Sequence, residues 1–415
     1  MSQPRLLIEE WLPAAAIGVE CIRERSTGQQ PPDKRLHVWW ARRPLAVSRA
    51  AVLGSLLPAA FPRDVFERLL GFWGTSAQIV EAQAFLDWAK AAGGERVENP
   101  HGGRAFRRGL RKDDLDRAHA DAARLWGDDI VVMDPMAGGG SIPLEAARLG
   151  LRALANEYNP VACSVLEATV DYPFRFGNRL GKRARHWAAE LRRRFNARME
   201  RFYPKTGVLP PHCYIFARTV PCPETQHATP VVPDWYLLKP KRGARIVAEP
   251  VVNKSRGTWS ARIREIGTRA GQLREPPLPT YDDAKGISLF TNLQIPAGYV
   301  KAKAQAGEMG TALYAVALKG PKGLRFQPPE PVDLEALEAA EKELARLRRG
   351  WEKTNVIPTE LIPAGDQPGT RLVIGGIRSW ADMFSPRQLL SFGVLVEELQ
   401  RLRSSIVDVE GQELG

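Results

Sequence analysis

No apolar run in the 415 residues approaches the roughly 20 needed to cross a bilayer, and Glu9, Glu10 and Trp11, close behind Met1, do not form a signal-peptide pattern. A membrane-spanning or secreted class is therefore disfavoured, and a cytoplasmic location is expected. Cysteine is scarce: Cys21, Cys163, Cys213 and Cys222 are too few for a disulfide framework in so long a chain, which fits a reducing compartment. Acidic charge is in the minority, 47 Asp+Glu against 59 Lys+Arg, a formal net charge of +12. Much of the excess sits in three stretches, Arg104 to Lys112, Lys182 to Arg201 and Lys239 to Arg245. Clustered guanidinium groups are the footprint of a polyanion binder, although basic helices also occur as plain solvated faces. Hydrophobic content of 44% with 26% charged residues is that of a globular protein, and the length implies two or more domains.

The periodicity divides the chain into four segments. Residues 1–127 read as a helical N-terminal region: Ile8 to Leu57 is largely helical, interrupted by the loop Ser26 to Asp33 with Gly28, Pro31 and Pro32. Further helices run from Val65 to Trp126, with a polar hinge near Gly93 to Gly103. Residues 128–203 read as an α/β core, with a strand at Ile130 to Met133, a helix from Pro143 to Leu149, a strand from Arg152 to Glu157 and a helix from Gly181 to Phe202. That last helix spaces Trp187, Leu191, Phe195 and Met199 four apart on one face. Residues 204–331 are Pro-rich, β-branched and aromatic, as an inserted, mostly β module would be. Residues 332–415 read as a helical C-terminal segment leading back toward the core, with helices Leu334 to Trp351 and Pro386 to Arg403. Ser385 is the N-cap of the second and Pro386 its first helical residue, and the last dozen residues look frayed.

Within the core, Asp134-Pro135-Met136-Ala137-Gly138-Gly139-Gly140-Ser141 joins a strand to a helix N-terminus through a glycine-rich turn. Such a turn presents backbone N–H groups to a nucleotide-like ligand, and glycine removes Cβ atoms where that ligand lies on the main chain. S-adenosylmethionine has an ammonium and a ribose with two hydroxyls, so its site wants one carboxylate near each. Asp134 ends the first strand. Glu157, 23 positions later, ends the second, about where dinucleotide folds place their ribose-binding acid. The G-x-G-x-x-G spacing of a dinucleotide site is absent.

These residues, with Asn156-Glu157-Tyr158-Asn159-Pro160-Val161-Ala162, resemble the cofactor motifs of the large adenine-specific DNA methylases that carry a zinc-ribbon insert; Met136 stands where that motif usually has an aromatic residue. The resemblance extends to Glu10-Trp11-Leu12-Pro13, to Lys34-Arg35-Leu36-His37-Val38-Trp39-Trp40-Ala41-Arg42-Arg43-Pro44-Leu45 and to Ser385-Pro386-Arg387-Gln388-Leu389-Leu390, and so covers nearly the whole chain. It implies a Rossmann-like S-adenosylmethionine methyltransferase core, α/β in class, with a helical N-terminal region and a degenerate zinc-ribbon-like insert. It places Trp40, Arg42, Arg43 and Pro44 over the methionine end of the cofactor, and Tyr158 and Asn159 beside Glu157. Trp39 and Trp40 offer flat apolar area, Arg42 and Arg43 charge for a carboxylate or DNA phosphates. A buried aromatic pair with exposed arginines is the plainer reading.

Two departures qualify the likeness. The family's insert has two cysteine pairs, whereas this chain reads Cys222-Pro223-Glu224-Thr225-Gln226-His227, a histidine standing in for one thiol, and Ser288-Leu289-Phe290-Thr291-Asn292 where the second pair belongs. His212 and Cys213 would bring the candidate ligands to four with Cys222 and His227, but a histidine beside a cysteine is more often core or surface than ligand, so a ribbon-shaped module without metal is expected. Amino-methyltransferases also hold the target base with an Asp/Asn/Ser-Pro-Pro-Tyr/Phe tetrapeptide, and no such sequence occurs; Asp171-Tyr172-Pro173-Phe174 has the wrong order and reads as a turn. In the family that motif follows the region of Ser385 to Leu390, beyond which this chain soon stops. The resemblance implies either a truncated piece or, as the expected role, an S-adenosylmethionine-binding subunit that contacts double-stranded DNA and is completed by a second methyltransferase subunit carrying the catalytic motif. A catalytically inactive cofactor-sensing module, an RNA methyltransferase and a scaffold of a defence or restriction assembly remain open.

Overall fold

The computed structural model describes residues 4–411 except 26–29, 32, 41, 94–96, 100, 102, 206–208, 210, 241–242, 268, 270, 322 and 364–374. Parts of four expectations lie outside the described residues: most of the Ser26 to Asp33 loop, Ala41 of the Lys34 to Leu45 stretch, several positions of the Gly93 to Gly103 hinge, and Lys241 and Arg242 of the third basic stretch. The chain is a mixed α/β protein with four β-sheets among the described residues. It forms two compact units, Met1–Arg185 and His186–Gly415.

The first unit opens with seven helices: α1 (Leu7–Glu10), α2 (Ala14–Glu24), α3 (Asp33–Leu36), α4 (Leu45–Leu56), α5 (Arg63–Leu69), α6 (Ser76–Ala91) and α7 (Lys112–Trp126). Local chemistry sets their ends. Thr75 caps α6 through a reciprocal bond pair with Gln78, and Gly127, at φ 82°, ends α7. Strand β1 (Val131–Asp134), helix α8 (Ser141–Arg148), strand β2 (Arg152–Ala155) and helix α9 (Pro160–Leu166) follow. The two strands pair in parallel, Val131 opposite Arg152 through Asp134 opposite Ala155. Ile130, Val132 and Leu151 pack on a core of Leu7, Phe66, Leu69, Ala146 and Leu149. Val131, Met133 and Leu154 are exposed. A parallel sheet is normally covered on both faces, so this uncovered apolar side is unusual.

Asp171 to Phe174 is not the turn its sequence suggests. Glu167–Asp171 is a π-helical turn running into α10 (Tyr172–Met199), so Pro173 lies within continuous helix. A proline there lacks the N–H and crowds the preceding turn, which the wider π turn accommodates. Gly177, at φ 53° and ψ −141°, breaks α10 before it enters the second unit.

The second unit holds the β-rich segment. Its strands are β3 (Pro211–Pro221), β4 (Ala228–Val231), β5 (Tyr236–Leu238), β6 (Arg245–Asn253), β7 (Thr258–Ile266), β8 (Tyr281–Asp282), β9 (Lys285–Ile287) and β10 (Gln294–Ile295), then, after helix α11 (Ala297–Ala306), β11 (Gly310–Gly320) and β12 (Gly323–Gln327). They form antiparallel sheets in the orders β12-β11-β3-β4, β5-β6-β7 and β10-β9-β8. Trp235, Ala248 and Ala261 meet Ala217, Tyr314 and Ala315 in one core, where the rings of Trp235 and Tyr314 stand edge to face at 5.6 Å. Helices α12 (Pro331–Lys353) and α13 (Pro386–Glu410) bury Ala340, Leu344 and Trp351 with Leu390 and Val394, against Met199 and Phe202. The expected fraying after Arg403 is absent as far as Glu410. Helix α13 continues to that residue, whose Oε1 accepts a 2.8 Å bond from Trp187 Nε1, and only residues 412–415 lie outside the described ones.

Candidate functional site

The turn between β1 and α8 is built by backbone bonds that join the ends of the two strands. Asn156 N donates to the Asp134 carbonyl (2.9 Å), Ala137 N to the Asn156 carbonyl (3.0 Å) and Gly140 N to the Ala137 carbonyl (2.8 Å). Gly138 and Gly140 take φ of 52° and 81°, a region that disfavours other residues. Asp134 Oδ1 accepts from Met136 N (3.2 Å). The Glu157 carboxylate closes the far side: Oε2 accepts from Gly138 N at 2.7 Å, Oε1 from Tyr158 N at 2.8 Å and Asn159 N at 3.1 Å. The N–H donors of Asn159, Gly138 and Tyr158 hold that carboxyl below its ordinary range. Asn159 caps α9 through its side chain. A cavity of about 720 Å³ adjoins Glu157, walled by β2 and by Leu166, Val170 and Phe174.

The Lys34 to Leu45 stretch lies directly on this turn, although it is almost a hundred residues earlier in the chain. The Ser141 hydroxyl donates to the Arg43 carbonyl at 2.7 Å. A Cβ built on Gly138 would stand 2.8 Å from Trp39 Nε1, and one on Gly139 2.9 Å from Arg42 Nε. Trp39 is thus the aromatic residue that meets the glycines. Trp40, the expected one, is 89% exposed, as are Met136 at 85% and Tyr158 at 100%, so three large apolar side chains stand bare around one turn. Arg42 Nη2 donates to the His37 carbonyl (2.7 Å), and Nη1 lies 3.3 Å from the buried Asp33 carboxylate. Pro44 precedes α4, whose first N–H groups, Leu45 and Ala46, are taken by the buried Glu24 carboxylate at 2.9 and 3.3 Å. Burial pushes that carboxyl up, against those bonds and Lys34. Below this, Arg49 Nε donates to Glu145 Oε2 (2.5 Å) with both side chains buried, tying α4 to α8. Trp11, Leu12 and Pro13 serve packing, Trp11 edge-on to Phe66 at 6.1 Å and under Arg63, while Glu10 is exposed and ion-paired with Arg5 at 3.0 Å.

The loops expected to carry the remnants of a metal site face each other in the second unit. Each makes the same turn. Gln226 N donates to the Cys222 carbonyl at 2.8 Å and Cys222 N to the His227 carbonyl at 2.9 Å; Asn292 N donates to the Ser288 carbonyl and Ser288 N to the Leu293 carbonyl, both at 2.9 Å. Gln226 and Asn292 take matching φ values of 60° and 61°. In this register the equivalent positions are Cys222 with Thr225 and Ser288 with Thr291. His227 lies two residues beyond Thr225, at the position of Leu293, its ring edge-on to Phe290 at 5.1 Å, so it does not stand at an equivalent position. The Ser288 hydroxyl donates to Cys222 Sγ at 3.2 Å. Burial pushes that thiol up, but the hydroxyls of Ser288 and Thr225 and the N–H groups of Thr225 and Glu224 outweigh it and bring it to about 7. Cys213 cannot join: it pairs with Ala317 at the other end of β3, roughly 30 Å of extended chain away. Among the described residues no group of three or more His, Cys, Asp or Glu could hold a metal ion.

The basic stretches are partly committed to structure. Glu190 binds Arg193 and Arg194, both at 2.8 Å, and Arg198 binds Glu397 and Glu398 at 2.9 and 2.7 Å. Arg179, Lys182, Arg185 and Arg192 are exposed. Ser385 to Leu390 also has a structural purpose. Ser385 caps α13, Leu389 and Leu390 are buried, and the Arg387 guanidinium lies 3.9 Å from the Tyr214 ring centre and 4.6 Å from that of Tyr203 while donating to the Phe202 carbonyl.

Residues 11–69 match a family model described as a protein of unknown function, DUF1156. The match contains Glu24, Asp33, Trp39, Arg42 and Arg49, the residues that seat the N-terminal segment around the glycine turn. No curated protein and no solved structure matches the chain.

Proposed function

We propose that this chain is the S-adenosylmethionine-binding, DNA-contacting subunit of a split DNA adenine N6-methyltransferase of a restriction-modification or phage-defence system. The observation that carries the reading is the convergence on Gly138 of two carboxylate-bearing strand ends and a cationic, aromatic segment. Asp134 and the turn Pro135 to Ser141 would hold the methionine end, with Arg42, Arg43 and Pro44 above it; Glu157, flanked by Tyr158 and Asn159, would take the ribose hydroxyls. To do so Glu157 releases Gly138 N, whose N–H then faces the ligand. The core is taken as Rossmann-like, of which β1, α8 and β2 are the first crossover.

The uncovered face of β1 and β2, with Val131, Met133 and Leu154 exposed, supports a partner that completes the sheet. That partner would bring the Asp-Pro-Pro-Tyr-type motif that stacks and orients a flipped adenine. Methyl transfer would then be a direct in-line displacement from sulfur to N6, driven chiefly by proximity. The exposed Arg179, Lys182, Arg185 and Arg192 would contact DNA phosphates. The test is transfer of a labelled methyl group to duplex DNA by this chain mixed with a protein bearing that tetrapeptide, above all one encoded beside it. Adenine-specific labelling that needs both chains is the expected result. Labelling by neither mixture, or by the second protein alone, contradicts the reading.

One contact favours a second reading. Trp39 and Arg42 already fill the space over Gly138 and Gly139, so the glycines are also what a scaffold without any cofactor would need to seat this segment. A defence-complex scaffold of that kind binds no S-adenosylmethionine at all.

A further inference from the structure

A cavity of about 560 Å³ lies in the β-rich part of the second unit, walled by Val231 of β4, Tyr281 of β8, Ala284 of the β8–β9 turn, and Val300 of α11, with Met309 beyond that helix. Four of these, Val231, Tyr281, Val300 and Met309, belong to the small cluster around Val220 and Ile295, so the floor is part of a packed core. The volume is within the range of small-molecule sites. Among the described residues its lining carries two cations, Arg218 and Lys301, and no carboxylate. Neither cation is in an ion pair among the described residues. Arg218, exposed like Lys301, has Met309 Sδ 3.6 Å from Nη2, a weak acceptor. Asp283 and Ala284 both have positive φ, 44° and 63°, in a two-residue hairpin turn where glycine is the usual second residue. The alanine methyl there forms part of the cavity wall at a cost in backbone strain.

An apolar, partly aromatic floor with two cations on its lining suits a flat ring bearing a phosphate. Two cations match the charge of a phosphate, one more than an aliphatic carboxylate needs. We propose that this cavity binds a nucleoside monophosphate unit, the base against Tyr281 and the phosphate at Arg218 and Lys301, either as a free nucleotide or as an unpaired nucleotide within a strand. The second source rests on the DNA-contacting part of the function proposed above and is independent of the methyl donor.

The experiment is a titration of the full chain, without S-adenosylmethionine, with dAMP and dTMP, then displacement by a single-stranded 12-mer and by decanoate. Saturable nucleotide binding is expected, weakened about tenfold by Arg218→Ala and by Lys301→Ala and lost in Ala297→Phe, which fills the mouth. Thermal melts of the variants verify that they fold, and a second filling substitution, Gly298→Phe, at a lining position with open space beside it, replaces any that does not. Displacement by the 12-mer identifies strand nucleotides as the source; binding of free nucleotides without displacement identifies the free form. Unchanged nucleotide affinity in a folded filled variant, or binding of decanoate with none of either nucleotide, overturns the proposal. Because the methyl donor is absent, failure here leaves the glycine-turn reading standing, and failure of the latter leaves this one.

Discussion

The glycine turn of the first unit and the facing loops of the second differ in what they hold. Around Gly138 the side chains that a charged nucleoside ligand would need are all present: Asp134, Glu157, Arg42 and a tryptophan. Around Cys222 two loops share one backbone, down to matching hydrogen bonds and matching φ values at Gln226 and Asn292, while three of four equivalent positions carry hydroxyls. The comparison teaches that loop geometry and site chemistry are separable. A turn persists wherever its own bonds and its packing stabilise it, so shape alone does not establish a ligand. The same caution applies to the glycines, since Trp39 and Arg42 already rest on them.

The first unit should be the more sensitive to loss of charge. Arg49→Met leaves the fully buried Glu145 with Arg148 as its remaining cation and is expected to cost about 3–5 kcal/mol in denaturant unfolding. A loss below 1 kcal/mol would show that the ion pair does not anchor α4 on α8. The second unit should respond less, because its loops are joined by neutral groups. Ser288→Ala removes the donor to Cys222 and is expected to cost about 1–2 kcal/mol and to raise the thiol from about 7. Ultraviolet titration of the thiolate reads the second effect; an unmoved titration would detach Ser288 from the thiol.

The sign of the pH dependence follows from the same group. The folded thiol titrates near 7, below its ordinary 9.0, so its contribution is fully present above the unfolded value and is lost as pH falls through 7. Melting temperature of the second unit's transition should therefore rise between pH 7 and 9, and Cys222→Ser should flatten that slope; an equal slope in the variant would assign it to other groups. The smallest effect contrasts the two tryptophans. Trp40→Ala is expected to change stability by no more than about 0.5 kcal/mol, whereas Trp39→Ala should loosen the segment over the glycines and costs more. Equal effects in denaturant melts would contradict the different surroundings of the two rings.

How much of this was legible beforehand also differs between the sites. The strand, glycine turn, helix and second strand could be read because each follows from local rules: apolar run, residues suited to positive φ, amphipathic spacing. The four-residue spacing of Trp187 to Met199 likewise marked a face that packs. Which of two adjacent tryptophans turns inward could not be read, since neighbours on an irregular segment have no fixed period. His227 suggests a ligand by residue type alone, since an imidazole binds metals, but the turn places Thr225 opposite Thr291. Aligning Cys222 to Gln226 with Ser288 to Asn292 would have revealed Thr225 and Thr291 as the matching positions, the polar residue before a positive-φ turn in each. Asp171 to Phe174 read as a turn because proline usually breaks a helix, and a π turn just ahead of it is invisible to periodicity. The Arg49–Glu145 pair, 96 residues apart, left no local trace at all.

Calorimetry of the isolated chain with S-adenosylmethionine, repeated on Asp134→Ala and Glu157→Ala, bears most directly on the glycine turn. One-site binding that weakens at least tenfold in each variant, with quenching of Trp39 fluorescence, is the expected result. No heat and no fluorescence change up to millimolar cofactor, with the chain folded, would make the turn a seat for Trp39 and Arg42 and nothing more.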